Sequence, residues 1–246
     1  MKPTLMERVK DTTVGQSVFR VPARNTPRER AEGHWSNFFL HLYPVKVRQE
    51  EIGFRYSWYL GVISLTLFIS LIVSGIYLMF FYVPSPTYAY GDILFLQTAV
   101  PFGQFIRNVH RWSAHLMVVA VMAHMAKVFY RGAYKAPREF NWVVGVVLLL
   151  LTFFLSFTGY LLPWDQLAYW AITVGTALAA YVPFIGEQVS QLLLGGPQVS
   201  SATLLRFYVL HVALLPTVLV MGIVIHLWRW RKDSTLDSAG GDPDGR

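Results

Sequence analysis

Four stretches without a charged residue constrain this chain more than any other feature: 58–82, 112–126, 142–164 and 207–228. With its flanks, each is long enough to cross a bilayer as a helix of about 20 residues. Backbone polar groups in hydrocarbon must be satisfied within the protein, so segments of this length read as helices. Of the 246 residues, 54% are hydrophobic and only 14% are charged, too few charges for a soluble domain of this size. The first stretch is too long for the core of a signal peptide and follows more than fifty mostly polar residues. An all-α integral membrane protein with four transmembrane helices is predicted.

Charge placement orients the spans. Lys and Arg crowd the segment up to Arg55, the loop holding Arg131, Lys135 and Arg138, and the end holding Arg229, Arg231 and Lys232. The loop 83–104 and the connection 163–203 contain no Lys or Arg. The positive-inside rule therefore puts both termini and the second loop on the cytoplasmic side. The net charge of +7 is concentrated beside the spans, which argues against nucleic acid and for lipid headgroups. The connection between the third and fourth spans is long for an idle loop and predicts short helices on the outer face.

Histidines mark two of the spans. His110 and His124 lie 14 residues apart in the second, and His211 and His226 lie 15 apart in the fourth. Fourteen residues make just under four helical turns, about 21 Å of rise, so both histidines of a pair leave nearly the same face. The second and fourth spans run in the same direction. His110 thus meets His211 near the outer side, and His124 meets His226 near the inner side. Helix tilt or a local bulge absorbs the one-residue difference. Ionisable groups inside a membrane are costly and mark function. Paired imidazoles on opposite sides of one metal suit a haem iron that only passes electrons. His115 is offset from the ligand face and suits hydrogen bonding between helices; His34 and His41 precede the spans and read as interfacial.

The first and third spans carry Gly61 and Gly75, and Gly145 and Gly159, again 14 apart. Any one of them reads as a helix-packing glycine. Two pairs at the histidine pitch predict clearance for a flat macrocycle. With no cysteine present, thiolate metal sites, iron–sulfur clusters and thioether-bound haem are excluded within the chain.

The stretches RNVHRWSAH, HMAK, KAPREFNWVVGVVL, TGYLLPWDQLAYWA and TLLRFYVLH, with the histidine 15 residues on, resemble the cytochrome b family between about Phe54 and Lys232. The resemblance is closest to the short, split form, cytochrome b6. It implies a four-helix bundle with two b haems, held by His110 with His211 and by His124 with His226, and cradled by Gly61, Gly75, Gly145 and Gly159. It puts Arg107 against an outer haem propionate, Arg206 as a second outer arginine, Lys127 and Arg231 near the inner haem or quinone, and Pro163, Trp164 and Asp165 along an outer quinol-oxidation site. The implied activity is that of a quinol:cytochrome c or plastocyanin-type oxidoreductase, inactive as a lone chain. Its electrons cross from quinol outside to quinone inside, coupled to proton translocation. Implied partners are a subunit IV-like protein, a Rieske iron–sulfur protein and a c-type cytochrome, in a dimeric complex.

The chain departs from the family pattern in three ways. Lys127 stands where an arginine is usual. Tyr59 stands where b6-type proteins have the cysteine that binds an extra haem, so no covalent haem c is expected. The later helices of the long form, with their Pro-Glu-Trp-Tyr segment, are expected from the subunit IV-like partner. The alternative class is a dihaem anchor of a dehydrogenase or hydrogenase without electron bifurcation; those use other histidine spacings and lack PWDQ. The predicted organisation is a flexible extension over 1–33, an interfacial segment over 34–56, the haem-binding region over 57–230 and a flexible tail over 231–246.

Overall fold

The computed structural model describes residues 58–239, with 234–239 described by backbone alone. The expected extension over 1–33, the interfacial segment with His34 and His41, and the last residues of the tail lie outside this range. The elements are α1 (Leu60–Met79), α2 (Ala89–Thr98), α3 (Gly103–Tyr130), α4 (Glu139–Tyr160), α5 (Gln166–Ala180), α6 (Gly186–Leu194), α7 (Ser201–Val209), a π-helical turn (Leu210–Leu214) and α8 (Leu215–Ala239). Among the described residues there is no strand.

Among the described residues four segments are long and apolar enough to cross a membrane: α1, α3, α4 and the run Ser201–Asp233. At about 1.5 Å per residue, even a 20-residue helix matches the hydrocarbon thickness. Side chains such as Val62, Ile69, Val73 and Ile76 of α1 face outward, as lipid allows and water does not. The chain is an integral membrane protein. The helices outrun the charge-free stretches at α3, which starts at Gly103 two residues after Pro101, and at α4, which starts at Glu139 two residues after Pro137. Proline fits just ahead of a helix because its missing N–H is not needed there, and Glu139 favours the positive end of the α4 dipole.

The described residues fall into two compact units. One comprises Gly61–Val121 and Leu149–Val220; the other comprises, among the described residues, 58–60, Met122–Leu148 and 221–239. In the first, Ala89, Leu161, Ile172, Leu204 and Phe207 form a buried core against which Tyr82, Phe157 and Trp164 pack. Tyr82 donates to the Leu162 carbonyl at 2.7 Å and stacks on Tyr208; burial pushes its pKa above the usual phenol value. The expected short helices in the long connection are α5 and α6. A third, α2, lies within the loop 83–104, where none was expected.

Each short helix ends on identifiable residues. The Asp165 carboxylate accepts from the Ala168 N–H at 2.7 Å and caps α5. Gly195 takes the left-handed conformation, φ 74°, that closes α6, and its N–H reaches the Gln191 carbonyl. In the second unit, Phe129 packs on Tyr134 and Trp142, and Gly222 lies against Leu148. Arg229 and Asp233, one turn apart, form a 2.9 Å ion pair. The last helix is described as far as Ala239.

Candidate functional site

The structure brings the four span histidines together in two pairs. The His110 and His211 ring centroids are 6.2 Å apart with planes at 74°. Those of His124 and His226 are 6.4 Å apart at 78°. Two imidazoles bonded through nitrogen to opposite sides of one metal, at about 2 Å per bond, would place their centroids about 6.3 Å apart. Both pairs fit that separation. Among the described residues no group of three or more His, Cys, Asp or Glu side chains gathers as a metal site. A metal between two imidazoles would then take its remaining donors from a planar macrocycle, so the donor set fits haem and not a tetrahedral protein site.

Positioning begins with the helices. Between His211 and His226 the π turn Leu210–Leu214 takes up one residue more than an α-helical turn, with the Leu215 N–H bonding the Leu210 carbonyl. Pro216 has no N–H to offer the carbonyl of Val212, so the helix opens just ahead of it. The local bulge expected from the 14-against-15 spacing is therefore present.

The glycines stand against the imidazoles themselves. A Cβ on Gly159 would lie 2.5 Å from His211 Cε1, and one on Gly75 would lie 3.2 Å from His110 Cε1. On Gly145 it would meet His226 Cε1 at 3.5 Å, an ordinary contact. At Gly75 and Gly159 the imidazole is the side chain that the missing Cβ would meet first. Gly61 is exposed in the first turn of α1.

Two hydroxyls missed by the sequence reading complete the first pair. Ser74 Oγ lies 2.9 Å from His110 Nδ1, and Thr158 Oγ1 lies 3.3 Å from His211 Nδ1. His211 Nδ1 also donates to the Leu155 carbonyl at 3.1 Å. The available signal was a hydroxyl residue directly before each glycine. At the second pair, His226 Nδ1 is buried with no hydrogen bond of normal geometry among the described residues, and the Asn141 carbonyl adjoins the ring.

The remaining candidates are placed as follows. Arg107 is half-buried and within electrostatic reach of Asp165 and Arg111. Pro163 and Trp164 are partly buried beside the core, Trp164 with φ 52° and its ring edge-on to Tyr169. Asp165 is committed to the α5 cap. Arg206 is turned to the α6 end, where its guanidinium bonds the Gln191 and Leu192 carbonyls. Lys127 Nζ sits 3.8 Å above the Trp58 ring, a cation–π contact. Arg231 is buried in the last helix. His115 is exposed and edge-on to Trp112 of its own helix, not bonded between helices as expected.

Residues 48–234 match the Cytochrome b/b6/petB family. Cytochrome b6 of Heliomicrobium gestii is 44% identical over 167 residues, covering 68% of this chain and 78% of that protein. Cytochrome b6 of Prochlorococcus marinus strain MIT 9515 is 42% identical over 173 residues, covering 70% and 79%. A chain of a hyperthermophilic respiratory Complex III superposes with a TM-score of 0.68 at 27% identity, covering 84% of this chain and 53% of that one. This chain thus spans about half the length of that longer chain. It belongs to the cytochrome b/b6 family. Within the family it is b6-like and corresponds to the N-terminal part of a split cytochrome b, a subunit of the kind found in bc- and b6f-type complexes.

Proposed function

We propose that this chain is the dihaem subunit of a quinol-oxidising complex, with His110 and His211 holding one b haem near the outer face and His124 and His226 holding a second near the cytoplasmic face. The observation that carries the reading is the pair of centroid separations, 6.2 and 6.4 Å. When bound, the haems supply one-electron transfer across the membrane. The four imidazoles would hold the two groups, two to each, and would leave no coordination site open to substrate. Arg107 offers a cation to an outer propionate, and Lys127, held on Trp58, a cation on the cytoplasmic side.

Pro163 and Trp164, carried at the start of α5 by the Asp165 cap, line an outer quinol site that a subunit IV-like partner completes. A Rieske protein and a c-type cytochrome take the other electron of each quinol. Quinone is reduced on the cytoplasmic side, so protons leave outside and are taken up inside. The low count of Lys and Arg in the connections 83–104 and 163–203 supports both termini being cytoplasmic.

The test is a pyridine haemochrome spectrum of the purified complex, with haem counted per copy of this chain. Two b haems and no c haem attached to this polypeptide are expected, and His110→Ala and His124→Ala should each remove one. A single haem in well-folded complex, or one variant removing both with the fold intact, would break the pairing.

A further inference from the structure

The two imidazole pairs differ in what stands behind the rings, and the difference follows a short repeated frame. Leu71–Gly75 reads LIVSG and Leu155–Gly159 reads LSFTG. In both, the final glycine faces the imidazole and the hydroxyl residue before it meets Nδ1. The carbonyl four residues before the glycine also adjoins the ring, from Leu71 at His110 and from Leu155 at His211. Asn141–Gly145, opposite His226, reads NWVVG. There the carbonyl of Asn141 and the glycine keep their places, but Val144 occupies the hydroxyl position.

The direction of the bonds follows from proton counting. Ser74 has one hydroxyl proton, and Oγ lies 2.6 Å from the Ser70 carbonyl, which takes it. Oγ therefore accepts from His110 Nδ1–H. Thr158 likewise donates to the Phe154 carbonyl at 2.9 Å and accepts from His211 Nδ1–H, which the Leu155 carbonyl shares. Both side chains are almost fully buried, at 4% and 3% exposure, so water does not compete for these bonds. Each bond fixes the proton on Nδ1 and leaves Nε2 free for a metal. Each also moves electron density into the ring, making it a stronger donor that favours the oxidised metal.

We infer that Ser74 and Thr158 are positioning residues that lower the reduction potential at the His110/His211 site relative to the His124/His226 site, and that Val144 marks the absence of this device at the second site. The inference rests on the haem assignment above. It locates part of the potential difference that would drive electrons from one site to the other in two hydroxyl groups.

The test is a redox titration of the purified complex, following each haem by its optical α-band and by its low-spin electron paramagnetic resonance signal, in Ser74→Ala, Thr158→Val and Val144→Thr. The first two should raise the midpoint of the His110/His211 haem and shift its resonance signal, with the other haem unmoved and both haems retained. Val144→Thr, which adds a hydroxyl at nearly unchanged volume, should lower the midpoint of the His124/His226 haem. If Ser74→Ala loses haem through misfolding, the isosteric Thr158→Val and the additive Val144→Thr decide. Unmoved midpoints with two haems bound, or equal shifts at both haems, would overturn the inference while leaving the haem assignment standing. Fewer than two haems in the unaltered protein would instead remove the assignment on which it rests.

Discussion

Replacing Gly159 with alanine is the sharpest perturbation the structure offers. The new Cβ would lie 2.5 Å from His211 Cε1, 3.0 Å from Nδ1 and 3.1 Å from Nε2, so no ring rotation in place relieves all three contacts. Ordinary contact begins near 3.4 Å, so the imidazole must withdraw by about 0.9 Å. A withdrawal of that size would stretch the 3.1 Å bond to the Leu155 carbonyl beyond hydrogen-bond range. Overpacking of this kind costs about 1–3 kcal/mol, against at most ~1 kcal/mol gained in helix propensity. The net loss, up to about 2 kcal/mol, corresponds to as much as about 30-fold weaker retention of the haem at that site. Gly145→Ala meets His226 only at 3.5 Å and should be neutral or slightly stabilising; Gly75→Ala, at 3.2 Å, should fall between. The assay is haem content and thermal haem release in the three purified variants, each haem resolved by its α-band. Equal losses from Gly145→Ala and Gly159→Ala would show that the glycines make room for the macrocycle and not the rings, and would refute the reasoning.

Asp165→Ala should lose the α5 cap at a cost of about 1 kcal/mol, lowering the melting temperature of the complex without changing haem content, while Asp165→Asn should retain most of the stability. A full loss of haem in Asp165→Ala would show a role beyond capping. Deleting Ala213 should convert the 15-residue histidine spacing to 14 at the expense of the π turn and leave two haems bound, whereas inserting one alanine after it should lose a haem; haem counts reversed from this order would exclude the π turn as the absorber of the extra residue.

The spans and histidine pairs were legible because a bilayer imposes length and sidedness on a sequence, and because four ionisable groups at a helical pitch are costly without a use. The π turn was legible as a one-residue excess, and its position could have been read from Pro216, whose missing N–H leaves a carbonyl behind it free. Other features depended on packing that no spacing encodes. Asp165 looked like part of a site, yet its carboxylate is held by a backbone N–H of α5. Arg206 was expected only as a second outer arginine; its guanidinium bonds carbonyls at the end of α6, which Gly195 closes. Helix α2 escaped notice because its ten residues carry no strong apolar period and have Gly91 near their start.

The glycines connect these levels. Read from sequence, Gly75, Gly145 and Gly159 were equivalent, since helical pitch treats them alike. The structure separates them by the distance at which an imidazole stands behind each, and by whether the residue before the glycine can accept a proton. Tight glycine contact and a hydroxyl acceptor occur together at His110 and His211, and both are relaxed at His226. A ring pressed against a glycine is held in one orientation, and in that orientation Nδ1 meets the hydroxyl of the preceding residue. Close approach and hydrogen bond are therefore one device. Enlarging the glycine and deleting the hydroxyl should disturb the same imidazole by different routes, the first through occupancy and the second through potential at full occupancy.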